Sequence, residues 1–286
     1  MTGVDPPRHP VQEAVARALA EDLGPLGDLT AALVPAAAPA RGVIAAREPG
    51  VLAGQACATE TWAQLDPSVA VTWERCDGAE LDRGTTVATV AGPLRSVLTG
   101  ERTALNFLCH LSGVATLTRR FAAAAGERTR VWDTRKTTPG LRALEKAAVR
   151  AGGGLNHRGS LSDMVLVKDN HLVGLGVGDA VRRARATWPG RGVEVECDDE
   201  AQVREAVHAG ADLVLLDNFT PEQVAACVPL VRGGPRPETP IEVSGGVTID
   251  TVAAYAHAGA DLISVGALTQ SAPALDLALD LDPGGR

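Results

Sequence analysis

The chain has 286 residues, 45% of them hydrophobic but only 3% aromatic, so a core for one large or two modest domains must be built from Ala, Val and Leu. The net charge of −8 disfavours nucleic acid and anionic membrane surfaces as partners, and no apolar run reaches membrane-spanning length. The five cysteines form no CxxC pair, which argues against a disulfide framework or a zinc site and favours a cytoplasmic location.

The first ~110 residues predict an α+β region. Glycine-spaced valines in "GAELDRGTTVATV" indicate strands joined by turns. In chain order we expect a helix near 10–23, then strands near 41–47 and 69–74 with a helix between them. The strands of the valine-rich stretch follow. A long helix is then expected from Pro93 through Arg102 towards 125, broken near Gly113.

The second half alternates between helices and short apolar strands. "HAGADLVLLDN" (208–218) and "HAGADLISVGA" (257–267) nearly repeat, which is typical of successive βα units in a parallel sheet. Strands are predicted near 130–133, 164–168, 193–197, 213–216, 241–243 and 262–265. Helices are predicted near 139–151, 178–187, 199–209, 221–231 and 248–258, the first with Thr138 as N-cap, Pro139 as first residue and Gly152 after its end.

These elements predict an α/β protein. The run of strands shows no point at which the strand order would reverse, which favours a barrel over a doubly wound sheet. We expect an N-terminal α+β sandwich-like domain over residues 1–112 and an incomplete (β/α) barrel over 113–269. The C-terminal segment 270–286 is expected to pack on the first domain.

Every predicted barrel strand ends in a charge or a glycine turn. The ends are Asp133-Thr134-Arg135-Lys136, Lys168-Asp169, Glu196, Asp217-Asn218, Ser244-Gly245-Gly246 and Gly266-Ala267. Active sites of barrels are built at this face, so the pattern predicts a site there.

Lysine is confined to three positions, Lys136, Lys146 and Lys168, whereas the other 24 basic residues are arginine. Residues 135–171 carry seven Lys and Arg against three Asp and Glu, a net +4 in a chain of −8. A local excess of positive charge in an acidic chain predicts that a small anionic ligand binds in a cleft. A solvated helix face is an equal alternative for Arg142, Lys146 and Arg150, which are spaced four apart.

The stretch "DTRKTTPGLRALEKAAVRAGGGLNHRGSLSDMVLVKDNH" (133–171) closely resembles the quinolinate phosphoribosyltransferase family, as do "GERTALNFLCHLSG" (100–113), "LLDN" (215–218) and "SGG" (244–246). Ala147 and Ser160 depart from the family pattern without removing a needed charge. The resemblance implies that quinolinate and phosphoribosyl pyrophosphate form nicotinate mononucleotide, pyrophosphate and CO2, with magnesium required. It also implies a homodimer, or a multiple of dimers, in which Arg102 serves the neighbouring subunit.

The residue chemistry agrees with this. Guanidinium groups match carboxylates bidentately, so Arg135, Arg158 with His157, and Arg102 suit the two carboxylates of quinolinate. The compact charges of Lys136 and Lys168 suit a pyrophosphate leaving group, and Lys146 is expected to be a bystander.

Glu196 and Asp217 are expected to accept hydrogen bonds from the ribose and to face charge developing at its anomeric carbon. Magnesium is expected near them, held through phosphates and water, with no side chain assigned as a direct ligand. The expected catalytic residues are Lys136, Lys168, Glu196 and Asp217. The expected substrate-binding residues are Arg102, Thr134, Arg135, Lys136, His157, Arg158, Lys168, Glu196, Asp217, Ser244, Gly245, Gly246, Val265, Gly266 and Ala267, with backbone N–H groups at helix starts cradling phosphate.

Two alternatives stay open. The first is a phosphoribosyltransferase of the same fold for another acid, such as nicotinate or the substrate of a molybdenum-locus relative. The clustered arginines and histidine favour a diacid over these. The second is a non-catalytic anion-binding barrel, which the presence of Lys168, Glu196 and Asp217 disfavours.

Overall fold

The computed structural model describes residues 4–35 and 38–282, so the outermost ends of the expected first domain and C-terminal segment lie outside the described residues. Contacts divide the chain into two compact units. The first consists of residues 1–119, 137–153 and 267–286, and the second of residues 120–136 and 154–266. The first unit therefore includes 137–153, a stretch that the expected boundaries assign to the barrel domain. Among the described residues no helix is long and apolar enough to cross a membrane.

The strands are numbered in chain order. They are β1 (Pro39–Ala46), β2 (Gly50–Val51), β3 (Ala70–Trp73), β4 (Glu80–Leu81), β5 (Thr86–Pro93), β6 (Arg130–Trp132), β7 (Val165–Val167), β8 (Val193–Cys197), β9 (Leu213–Asp217), β10 (Ile241–Ser244), β11 (Leu262–Ser264) and β12 (Leu277–Leu281).

The helices are numbered in the same way. They are α1 (Arg8–Leu23), α2 (Gln55–Leu65), α3 (Leu94–Ala125), α4 (Arg142–Ala151), α5 (Val177–Thr187), α6 (Glu200–His208), α7 (Pro221–Arg232), α8 (Val252–Ala258) and α9 (Ala267–Gln270). Short 3-10 turns cover Ala31–Leu33 and Asp169–His171.

The first unit is built on an antiparallel sheet in the order β12-β1-β5-β3, beside the two-stranded ribbon β2-β4. Its core contains the fully buried side chains of Ile44, Trp62 and Leu108. The C-terminal segment supplies the edge strand β12, which pairs with β1 from Ala46↔Leu277 to Gly42↔Leu281.

Helix α3 runs without a break, so the interruption expected near Gly113 is wrong. Gly113 allows close packing against α3 and does not end the helix. A Cβ at residue 113 would lie 2.1 Å from the carbonyl oxygen of Pro273, so the missing side chain lets that segment cross α3 closely.

Helix α4 begins at Arg142, which makes the predicted N-cap Thr138 and first residue Pro139 wrong, although Gly152 follows its end as expected. The backbone N–H of Thr138 donates to the carboxylate of the fully buried Glu145 at 3.0 Å, which stabilises a turn before the helix. Lys146 is only 7% exposed, so a solvated helix face is also wrong for this residue.

The second unit is a parallel sheet in the order β6-β11-β10-β9-β8-β7, surrounded along the chain by α5 to α8. The open parallel sheet and the antiparallel N-terminal sheet confirm the predicted fold class, an α+β region with an incomplete (β/α) barrel. All six predicted strands are present within about two residues of their predicted bounds.

The repeated Ala-Gly-Ala-Asp turns explain why these strands align. Gly210 and Gly259 have φ of +84° and +104°, a conformation that glycine adopts without strain. Asp212 then accepts the backbone N–H of Val193 at 2.8 Å, and Asp261 accepts that of Ile241 at 2.7 Å. Each aspartate thus fixes the start of a neighbouring strand.

Candidate active site

The carboxyl ends of the barrel strands border a pocket of about 580 Å³ in the second unit. Its lining residues are Thr134, Arg135, Lys136, His157, Arg158, Leu161, Leu166, Lys168, His171, Glu196, Leu215, Asp217, Glu242, Ser244 and Ser264. Nine of the predicted substrate-binding residues are in this set, because parallel strands bring their ends to one face of the sheet.

Alternation along the strands explains which other residues reach the same face. Side chains two residues apart on a strand point to the same side, so Glu194 shares a face with Glu196, and Glu242 with Ser244. All five residues of β8 are buried, which places both of its glutamates inside the unit.

Two arginines give the pocket its strongest positive character. Burial and then the charge of Arg135 lower the pKa of Arg158, which means that the two guanidinium groups are close enough to repel each other. The Nε atom of Arg158 is buried and has no hydrogen-bond partner among the described residues. This arrangement favours a ligand with more than one negative charge.

The two predicted lysines have different surroundings. Lys168, which directly follows β7, pairs through Nζ with the carboxylate of Glu196, and its side chain is 40% exposed. Lys136 is exposed, and its backbone N–H donates to the Thr134 hydroxyl at 3.0 Å. Lys168 is therefore held at the pocket wall by Glu196, and the backbone of Lys136 is held by the Thr134 hydroxyl in an exposed segment after β6.

Asp133 orients the neighbouring segment from a fully buried position. Its carboxylate accepts the backbone N–H of His157 at 3.0 Å and the side-chain amide of Asn156 at 2.7 Å. The ring of Trp132 lies against that of His157, with centroids 4.5 Å apart. These contacts place His157 and Arg158 firmly in the wall of the pocket.

Asp217 ends β9 beside a backbone outlier. Burial raises its pKa, while the charges of Lys168 and Lys136 act in the opposite direction. Asn218 adopts a φ of +58° and donates through Nδ2 to Asp217 at 2.6 Å. A Cβ at residue 245 would lie 2.3 Å from the Asn218 side chain, so Gly245 leaves room for this contact.

Six predicted residues are outside the pocket lining. Gly245 and Gly246 follow β10, Val265 and Gly266 follow β11, and Arg102 and Ala267 belong to the first unit. The glycine pair does not stand at a helix start as expected, since α8 begins only at Val252 after a turn in which Thr248 and Thr251 bond to each other. The backbone N–H groups at 245 and 246 belong to a loop.

Sequence reasoning missed Glu242, Ser264 and His171 in the lining, as well as Glu194 behind it. The Nδ1 atom of His171 accepts the backbone N–H of Lys168 at 3.0 Å, which shapes the turn that carries the lysine. The two-residue period of "VEVEC" and "IEVS" could have placed both glutamates on the side of the site.

Fold and pocket together define a class, the α/β barrel proteins whose strand ends bind a small, multiply charged anion. Residues 28–112 match the N-terminal domain model of quinolinate phosphoribosyl transferase, and residues 114–280 match the C-terminal domain model. The chain belongs to the quinolinate phosphoribosyltransferase family.

Similar proteins carry consistent names. The carboxylating nicotinate-nucleotide pyrophosphorylase of Mycobacterium leprae is 43% identical over 278 residues, which cover 94% of this chain and 96% of the relative. The human protein of that name is 44% identical over 260 residues, covering 88% and 85%. The solved structure of the Francisella tularensis nicotinate-nucleotide pyrophosphorylase has a TM-score of 0.92 and 38% identity, covering 97% of this chain and 98% of its own.

Proposed function

We propose that this protein transfers the phosphoribosyl group of phosphoribosyl pyrophosphate to quinolinate, releasing pyrophosphate and CO2 and forming nicotinate mononucleotide for NAD biosynthesis. The observation that carries this proposal is the pair of half-buried arginines, Arg135 and Arg158, in one pocket with Lys136 and Lys168. Family membership and relatives of 40–44% identity support the same reaction.

In the proposed complex, Arg135 and Arg158 bind the two ring carboxylates through bidentate hydrogen bonds. His157 and Thr134 also line the pocket, and each is the chain neighbour of one of these arginines. A diacid satisfies two adjacent guanidinium groups better than a monoacid does, which favours quinolinate over nicotinate.

Pyrophosphate leaves between Lys136 and Lys168, which neutralise its growing charge, while Glu196 and Asp217 accept the ribose hydroxyls. The loops at Ser244-Gly245-Gly246 and Val265-Gly266-Ala267 offer further backbone N–H groups to phosphate. The pyridine nitrogen attacks the anomeric carbon with its own lone pair, so no general base is required. The quaternised ring then takes up the electron pair released as CO2 departs, and the freed ring carbon takes a proton. The protein mainly positions the two substrates and neutralises their charges.

Magnesium fits this site by the chemistry of its donors, since Asp217 offers carboxylate oxygens beside the proposed phosphate region. A magnesium ion bound to the phosphates would neutralise charge on the leaving group. We propose that Asp217 faces the ion through water, without assigning any side chain as a direct ligand.

We further propose a homodimer in which exposed Arg102 of one subunit completes the carboxylate site of the other, as the family resemblance implies. A cytoplasmic location, expected from the cysteines, also remains a proposal that cell fractionation would test.

The direct test incubates the purified protein with phosphoribosyl pyrophosphate, magnesium and either quinolinate or nicotinate. We expect nicotinate mononucleotide, pyrophosphate and CO2 in equal amounts from quinolinate, and no activity when a chelator removes the metal. Product from nicotinate alone would instead identify an enzyme of the same fold for another acid. Quinolinate binding without product would indicate a non-catalytic barrel.

A further inference from the structure

His157 of the pocket wall belongs to a cluster of three buried titratable side chains, and the proposed reaction gives no role to the other two, Glu194 and Glu242. His157 is 8% exposed, and Glu194 and Glu242 are both fully buried. One polar atom from each lies within 4.8 Å of the others. Burying two carboxylates side by side is costly unless protons and hydrogen bonds compensate for it, so their protonation needs an explanation.

Hydrogen-bond direction fixes the state of His157. The backbone N–H of Arg158 donates to Nδ1 of His157 at 2.7 Å, so Nδ1 must present its lone pair. The ring proton is then on Nε2, which lies 3.0 Å from Oε2 of Glu194. Because Nε2–H can only donate, Glu194 accepts through that oxygen, and any proton that Glu194 carries has to be on Oε1.

The contacts of Glu242 leave its Oε2 as the second atom that could carry or accept a proton in this cluster. Its Oε1 accepts the hydroxyl of Ser264 at 2.5 Å, while Oε2 is 3.8 Å from Nε2 of His157. Oε2 of Glu242 and Oε1 of Glu194 are both buried and have no hydrogen-bond partner among the described residues. The two carboxyl groups are within hydrogen-bonding reach of each other, so one proton between them, on Oε2 of Glu242 or on Oε1 of Glu194, would give each of these two atoms a partner.

The charges around the two carboxyl groups favour placing this proton on Glu242. Burial, followed by the charge of Glu194, raises the pKa of Glu242 well above its ordinary value. Burial raises the pKa of Glu194 to about 7, while the charges of Arg158 and Lys168 favour its ionised form. Glu242 is therefore the carboxyl group that keeps its proton when Glu194 loses its own.

We infer that Glu194 and Glu242 are positioning residues with divided protonation. Neutral Glu242 donates to the carboxylate of Glu194, which holds His157 as its Nε2–H tautomer, so that Nδ1 fixes the backbone of Arg158 in the pocket wall. The consequence for quinolinate rests on the proposed function, whereas the tautomer of His157 does not.

A pair of glutamine variants separates the two roles. Glu242→Gln replaces a neutral acid by a neutral amide that can donate from the same place, so we expect quinolinate to bind within about threefold of the parent. Glu194→Gln keeps an oxygen that can accept from Nε2, but it removes the negative charge and turns an amide donor towards Glu242, so we expect roughly tenfold to hundredfold weaker binding at pH 8. Equal losses in the two variants, or the larger loss in Glu242→Gln, would overturn the inference.

The tautomer itself is measured without any substrate. Long-range ¹H–¹⁵N correlation spectra at pH 8, with the His157 signals assigned by their loss in His157→Gln, should show the neutral Nε2–H form in the parent and a changed pattern in Glu194→Gln. An Nδ1–H form or a charged ring in the parent would contradict the inference, even if Glu194→Gln failed to fold. If the proposed activity is wrong, product is absent while these signals stay as expected.

Discussion

At the scale of single residues, charge repulsion explains why the pocket would select a diacid. Arg158 loses solvation by burial and faces the charge of Arg135, so each guanidinium group gains when an anion enters. A ligand with two carboxylates satisfies both groups at once.

We therefore expect Arg158→Ala to weaken quinolinate binding by about 2–5 kcal/mol, since it leaves a bound carboxylate without its partner. Titration calorimetry with quinolinate measures this loss. Arg182→Ala is the matched control in the same unit, because Arg182 is exposed and forms its salt bridge with Asp179, three residues earlier on the same helix. Unchanged binding by Arg158→Ala would place the carboxylates elsewhere.

The three lysines should respond differently to arginine. Lys136→Arg and Lys168→Arg keep the charge but lose the compact ammonium group, so both should strongly lower turnover. Lys146 is buried, so Lys146→Arg should affect turnover less and should instead lower the melting temperature through overpacking. Steady-state kinetics and thermal melts of the three variants check this. Near-parental turnover in all three would remove any functional meaning from the scarcity of lysine.

Glu194 should make stability depend on pH. Its folded-state pKa is raised from 4.5 to about 7, so the native state binds more protons than the unfolded state between these values. The free energy of unfolding contributed by this group therefore falls as pH rises from about 4.5 to 7, by on the order of 3 kcal/mol. Urea unfolding at pH 5 and pH 8 should show this fall in the parent and a smaller fall in Glu194→Gln.

The exposed Glu238→Gln is the control for that comparison, and it should follow the parent at both values of pH. Parallel behaviour of the parent and Glu194→Gln would show that burial of Glu194 does not shift its proton affinity.

The strand ends were predictable because barrel topology turns residues that are distant in sequence into neighbours. Lys168, Glu196 and Asp217 could be placed from that rule alone. The two-residue period indicates the face of Glu194 and Glu242 but not their burial, since a charged residue within a strand argues against burial until its partners are known. Their partners come from β8, β10 and the loop carrying His157, and only the folded chain brings these together.

At the scale of elements, Gly113 shows how one residue type supports two opposite predictions. In an exposed helix Gly→Ala would stabilise by about 1 kcal/mol. Here we expect Gly113→Ala to destabilise by about 1–3 kcal/mol, because the new methyl group would collide with the Pro273 carbonyl. Chemical denaturation gives the sign directly, and a stabilised variant would show that the crossing segment can move away at no cost.

Helix bounds were predictable where capping chemistry is local and failed where it is not. At α7, Thr220 and Gln223 form a capping box and Pro221 is the first residue, all readable from the sequence. At α4, the turn before the helix is held by Glu145, whose other oxygen lies 2.8 Å from Nε2 of His110 on α3. That contact joins residues 35 positions apart, which no local pattern reveals.

At the scale of the whole molecule, the proposed dimer makes a prediction that a monomer cannot satisfy. Arg102→Ala and Lys168→Ala should each be inactive alone. In a mixed dimer with shared sites, one site carries both defects and the other carries neither, so activity should return towards half per mixed dimer. Co-purification with two different affinity tags verifies the mixture before the assay. Mixed dimers that remain inactive would show that Arg102 serves its own chain.

The pairing of β1 with β12 also determines how late in synthesis the first sheet can be completed. In the first sheet, β1 lies between β5 and β12, so one of its edges stays open until β12 has been synthesised. At ~5–20 residues per second, that interval lasts roughly 10–50 s on the ribosome. An open strand edge is a template for wrong pairing, so the nascent chain is exposed to aggregation for the whole of that time. The sheet can therefore be completed only after residues 277–281 have emerged from the ribosome, long after β1 and β5.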